Sequence, residues 1–293
     1  METIVEHSVG IPRRLAGGAK RRLRLRPLGL LALGIVTVSI MLAVFAPLLA
    51  PYDPARQDVA SIAAPPGPEH LMGTDGLGRD VLSRLIYGGR ISILVGFVSI
   101  AVAFLAGVPV GLVAGFYGGS LDVFLMRVID VILGIPRFLL AVLLVYMLGT
   151  EIRNIMLAIG LWSAPLFART VRASVLSLKQ QEYIHAARAI GARDGRIIIR
   201  HILPNALGPL VVISTLGVAG AVLAESGLSY LGLGIQPPTA SWGVMVSEGT
   251  KFLLVAPHIA TFSGAAIFAT VLSLTVLGEE LREALDPRLR GRQ

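Results

Sequence analysis

Four stretches of the chain run without a single Asp, Glu, Lys or Arg: residues 28–50, 91–121, 202–224 and 252–278. The last holds His258 as its one ionisable group. A bilayer core about 30 Å thick needs roughly 20 helical residues at about 1.5 Å each. All four stretches exceed that length, and soluble core helices rarely stay uncharged beyond about 14 residues. Two weaker segments lie between them. Residues 138–150 reach spanning length only when extended back to about 122, which admits Arg127, Asp130 and Arg137. Residues 154–168 end at Arg169 and Arg172, whose long side chains can reach an interface. The pattern predicts an all-α polytopic membrane protein with six transmembrane helices, at about 28–50, 91–116, 123–148, 153–174, 204–225 and 256–278.

Charge then sets an orientation. The tail before Leu28 holds Arg13, Arg14, Lys20, Arg21, Arg22, Arg24 and Arg26. The loop after the fourth span holds Lys179, Arg188, Arg193, Arg196 and Arg200, and the C-tail Arg282, Arg288, Arg290 and Arg292. The opposite loops hold Arg56, Arg79, Arg84, Arg90, Arg153 and Lys251, six against sixteen. The positive-inside bias therefore predicts both termini in the cytoplasm. This topology accounts for most of the net charge of +8, so the basic tail calls for no nucleic-acid partner. The first apolar stretch is too long for an ordinary cleaved signal and is expected to remain as an anchor.

With no cysteine in the chain, disulfides, thiolate metal sites and a Cys nucleophile are excluded. There is no G-x-x-x-x-G-K-[ST] phosphate cradle and no H-E-x-x-H, and the histidines are scattered, so neither a metal site nor a bound nucleotide is expected on this chain.

The loop "LKQQEYIHAARAIGARDGRIIIRHILPN" around 178–204 is long beside the other turns. Tyr183, Ala186, Ala187 and Ile190 recur at helical spacing and are expected to share a face. Gly191 suits a helix end, Asp194 is placed to cap a second short helix, and Pro204 is expected to stop or kink that helix. The product is a bent protrusion rimmed by Glu182, His185, Arg188 and Arg193. It reads either as a knob that fits a groove on a partner or as an ordinary amphipathic interfacial loop.

This loop resembles the EAA loop of bacterial ABC importer permeases, E-A-A, three residues, G, nine residues, I-x-L-P. Ala186, Ala187, Gly191, Leu203 and Pro204 fall on the pattern. His185 replaces its Glu and His201 its Ile. Three further strings, "GTDGLGRDVLSRLIYGGRISI" (73–93), "AESGLSYLGLGIQPPTASWGVMVSEG" (224–249) and "ALDPRLR" near the end, are similar to the C-type permease of the dipeptide/oligopeptide/nickel importers. The resemblance spans about 25–290. It implies a type I ABC importer permease fold: a basic cytoplasmic tail (1–27), a first helix with an extracytoplasmic loop (28–90), a transmembrane domain (91–280) carrying the coupling loop, and a cytoplasmic C-tail (281–293).

The resemblance further implies a second permease, two ATPase subunits that bind ATP and Mg, and an extracytoplasmic solute-binding protein. Coupling to the ATPases would run through Glu182, Tyr183, His185, Ala186, Ala187, Arg188, Gly191 and Pro204, and the cargo would be a peptide or a related small solute such as a nickel complex. A stand-alone secondary transporter or channel is the competing reading, though no internal repeat supports it.

Two more sets of residues stand out. Asp130 and Arg137 lie seven apart and would share one face of a single helix, bordering a solute path or pairing with a neighbouring helix. In the segment 224–249, Gly227, Gly232, Gly234, Pro237 and Pro238 are expected to interrupt any helix. Glu225, Leu228, Tyr230 and Trp242 mark it as an outer gate, a docking surface for a solute-binding protein, or a packed re-entrant connection. Finally, Gly107, Gly111 and Gly115 recur every four residues and predict close helix packing, as do Gly217, Gly220 and Ala221.

Overall fold

The computed structural model describes residues 26–285; most of the basic tail and the last eight residues, including the end of "ALDPRLR", lie outside that range. In chain order the helices are α1 (Pro27–Val44), α2 (Ala46–Leu49), α3 (Val81–Tyr117), α4 (Gly119–Leu133), α5 (Arg137–Leu148), α6 (Ile152–Leu178), α7 (Glu182–Ala189), α8 (Asp194–Ile197), α9 (Leu203–Tyr230), α10 (Trp242–Thr250) and α11 (His258–Leu285). A π turn, Ile198–Ile202, joins α8 to α9. No strand occurs among the described residues, where Thr74 and Asp80 form an isolated bridge.

Five helical stretches are long and apolar enough to cross a membrane, and a sixth crossing is obtained when the bent pair α4–α5 counts as one. Large apolar side chains face outward along them, among them Leu31, Val38, Leu105 and Phe268. In water such a surface would drive aggregation, whereas in a bilayer it faces lipid.

The strongest packing joins α3 to α6. A Cβ at Gly107, Gly111 or Gly115 would lie 2.8 Å from the Cβ of Phe167, Val171 or Val175. Removing those Cβ atoms lets the two backbones approach, as the four-residue spacing predicts. Gly217 is likewise filled by Ile100, but Gly220 faces open space. A bidentate pair from Arg172 Nε and Nη2 to Asp122, at 2.6 and 2.7 Å, ties α4 to α6. α11 packs on both α9 and α1.

Several boundaries differ from the hydropathy pattern. α3 begins ten residues before the uncharged stretch, because Asp80 caps it by accepting from the Ser83 N–H at 2.8 Å. The third span is no single helix: α4 and α5 meet at 89° across residues 134–136. Pro136, lacking an N–H, is the N-cap residue of α5. Asp130 and Arg137 therefore sit on different helices and share no common face. α9 runs through Gly227 to Tyr230, since isolated glycines lower helix stability without ending a helix that is packed. α11 continues to Leu285, so residues 281–285 belong to the last helix rather than to a tail.

Candidate functional site

The protruding loop is built on three apolar pins. Ile184, Ile197 and Ile202 are fully buried, and Ala187 nearly so. The inward face of α7 is thus Ile184 and Ala187; of the row at helical spacing Ala187 alone is buried, while Tyr183, Ala186 and Ile190 are exposed, Ile190 to 86%. Burial of the isoleucine at 184 sets the rotation of so short a helix.

Gly191 ends α7 at φ +79°. The Ala192 N–H donates to Ala187 O and the Gly191 N–H to Arg188 O, at 3.0 and 2.9 Å, which is a Schellman closure. Asp194 is the first residue of α8 and gives no cap, Arg193 being the N-cap residue. Pro204 does not stop the chain: α8, the π turn and α9 form one continuous helical stretch from Asp194 to Tyr230. The missing Pro204 N–H falls where the wide turn hands over to the α-helix.

Glu182, His185 and Ala186 are exposed, forming the free face of the knob. Arg188 stacks its guanidinium 5.4 Å from the centre of the Phe116 ring, at the end of α3. The Tyr183 and His201 rings lie 6.4 Å apart, so the His201 departure from the loop pattern packs against the knob helix itself. Lys179 Nζ donates to Gly115 O at 2.9 Å, fixing the end of α6, where the chain enters the knob, to the same end of α3.

Within the bundle, Asp130 accepts from Arg169 Nη2 on α6, which is pairing with an adjacent helix. Arg137 has no ion-pair partner among the described residues. It lines a cavity of about 230 Å³ together with Leu133, Trp162, Ser163, Gly217 and Gly220.

At the end away from the knob, Glu225 is fully buried. It accepts from Ser92 Oγ on α3 and from Ser229 Oγ, both at 2.8 Å. Ser92 Oγ in turn accepts from the Trp242 N–H, and Ser229 Oγ from the Ile235 N–H. The Trp242 indole N–H donates to Leu85 O at 2.9 Å. Glu225, Leu228 and Trp242 are thus brought together in a buried hub that folds the segment 231–241 against α3. Tyr230, 47% exposed, is left outside it.

Residues 107–291 match a family described as the binding-protein-dependent transport system inner membrane component. The chain belongs to that family. Residues 15–66 also match the N-terminal transmembrane domain of oligopeptide transport permease C, which makes it a C-type permease of the peptide/nickel ABC importers. It is 40% identical over 273 residues to the dipeptide transport system permease protein DppC of Alkalihalophilus pseudofirmus, covering 93% of this chain and 90% of that one. It is 41% identical over 272 residues to the glutathione transport system permease protein GsiD of Escherichia coli O6:K15:H31, covering 92% and 90%. Among solved structures, an inward-facing MetNI methionine ABC transporter chain aligns at a TM-score of 0.57 with 20% identity, over 70% of this chain and 97% of that one. That likeness establishes the fold.

The permease also contains a charge cluster that sequence reasoning missed. Arg79 donates to Asp75 at 2.6 Å and to Glu248 at 2.8 Å, and Arg84 Nη2 donates to the same Glu248 oxygen at 2.8 Å. Both arginine side chains are nearly inaccessible, at 4% and 1%. The cluster joins the turn at 73–80, the start of α3 and the end of α10. His258 reinforces it through a 3.1 Å contact with Thr74 O. The sequence signals were the strings 73–93 and 224–249, which hold three of the four residues and the fourth, Glu248, without showing that they pair across 164 positions from Arg84 and 169 from Arg79.

Proposed function

We propose that this permease imports short peptides, driven by ATP that two partner ATPases bind with Mg and hydrolyse. The chain, which has no phosphate cradle of its own, forms half of the pathway with a homologous second permease. Both termini and the knob face the cytoplasm, and an extracytoplasmic binding protein delivers cargo at the opposite end. The observation that carries the reading is the knob. Three buried isoleucines fix it to the membrane bundle while Glu182, His185 and Ala186 stay free to meet a partner.

Displacement of that knob when ATP closes the ATPase dimer rocks the helices and exposes the path outward; hydrolysis resets it. ATP supplies only its differential affinity for the two states, and a few kcal/mol suffices. The peptide cargo follows from the dipeptide and glutathione transport named for its relatives. The uncovered face of α4 and α5, with Phe124, Val131, Leu139 and Leu143 exposed, is the surface for the second permease. Asp130, paired with Arg169, stands at the knob side of the path, and the Glu225 hub holds the outer gate.

The test is co-purification with the ATPases and uptake of labelled dipeptide into vesicles, with and without ATP. Gly191→Trp is expected to abolish assembly or ATP-driven uptake. Undiminished uptake by that variant overturns the knob assignment, and uptake that proceeds without ATPases favours a stand-alone transporter.

A further inference from the structure

The break between α4 and α5 lies at the rim of the 230 Å³ cavity, since Leu133 and Arg137 both line it. Three features there point to an anion. Arg137 is the one ionisable residue among the described lining residues, and the rest of the wall is apolar or small apart from Trp162 and Ser163. Among the described residues no carboxylate lies within ion-pair distance of Arg137, whose exposed side chain is free to meet a counter-charge from outside the chain. It is also the first residue of a 12-residue helix, whose opening N–H groups have no acceptor within the helix and whose dipole favours negative charge.

The cavity is smaller than the roughly 300–1,000 Å³ of a complete small-molecule site. It is only partly enclosed by this chain. Gly220 adds room, since a Cβ there meets nothing within 4 Å.

We propose that Arg137, with the start of α5, binds the carboxylate end of the solute in transit. A planar guanidinium matches a carboxylate bidentately, and every free peptide carries one. The assignment rests on the importer reading for the identity of the solute, but not for the anion preference of the cavity.

Because the chain is cysteine-free, Gly220→Cys gives a single reporter, read on this chain by its mass shift. In the complete importer, an anionic sulfonatoethyl thiosulfonate is expected to label it faster than the cationic trimethylammonioethyl analogue. Millimolar dialanine is expected to slow labelling about threefold or more, whereas dialanine amide leaves it unchanged. Adding Arg137→Gln is expected to remove both the anion preference and the protection; Arg137→Lys keeps the first and weakens the second, having lost the fork.

Equal protection by acid and amide, protection by neither, or protection that survives Arg137→Gln overturns the proposal. ATP-driven uptake by the same vesicles is read separately. Uptake without carboxylate-selective protection removes only the anchor. Carboxylate-selective protection with no ATP-driven uptake removes the importer reading and leaves the anchor standing.

Discussion

Glu225 and Glu248 show how single carboxylates organise the end of the molecule away from the knob. Glu225→Gln keeps the size and one acceptor for Ser92 or Ser229, and is expected to leave thermal stability within about 1 kcal/mol of the parent. Glu225→Ala strands both hydroxyls and opens a void, with an expected loss of about 2–4 kcal/mol, read as a fall in the melting temperature of the purified permease. Glu248→Ala leaves two buried guanidinium groups short of a counter-charge, and the same measurement is expected to show a loss of about 3–5 kcal/mol. Neither role could be read from the chain alone. Arg79 and Arg84 look like span-flanking charges, and hydropathy carries no pairing information across the 164 residues to Glu248. Gly191 was legible, because a glycine following a short helical pattern needs no long-range partner to declare itself.

The helices that pack on one another through small residues were legible for the same reason. Gly107, Gly111 and Gly115 repeat at the period of the helix, and α6 fills the groove they leave. Gly111→Leu is expected to drive α3 and α6 apart and to cost at least about 1–3 kcal/mol. Loss of folded permease from detergent extracts checks it, while Gly220→Leu, facing open space in this chain, leaves extraction of the isolated permease unchanged. The bend between α4 and α5 was present in the sequence as Gly134 and Pro136, but a window long enough to detect a span averages over a three-residue break. The rotation of α7 was not legible, because in an eight-residue helix the burial of one isoleucine, Ile184, decides which face turns inward.

The whole molecule carries its two functional ends on opposite sides of the membrane in the proposed topology. Ile190, at 86% exposure, and Leu254, fully exposed, mark them. In the cysteine-free parent, Ile190→Cys is expected to react with a membrane-impermeant thiol reagent only from the cytoplasmic side, and Leu254→Cys only from outside. Labelling of both from one side overturns the topology. The unbroken helical stretch from Asp194 to Tyr230 begins in the knob and ends in the Glu225 hub. Its 37 residues make a strut about 55 Å long, nearly twice the hydrocarbon thickness. Pivoted near its middle, a tilt of about 10° carries each tip roughly 5 Å in opposite directions. In the proposed mechanism a pull on the knob tip thereby becomes a push on the far one, a lever that needs no relay of side chains between them.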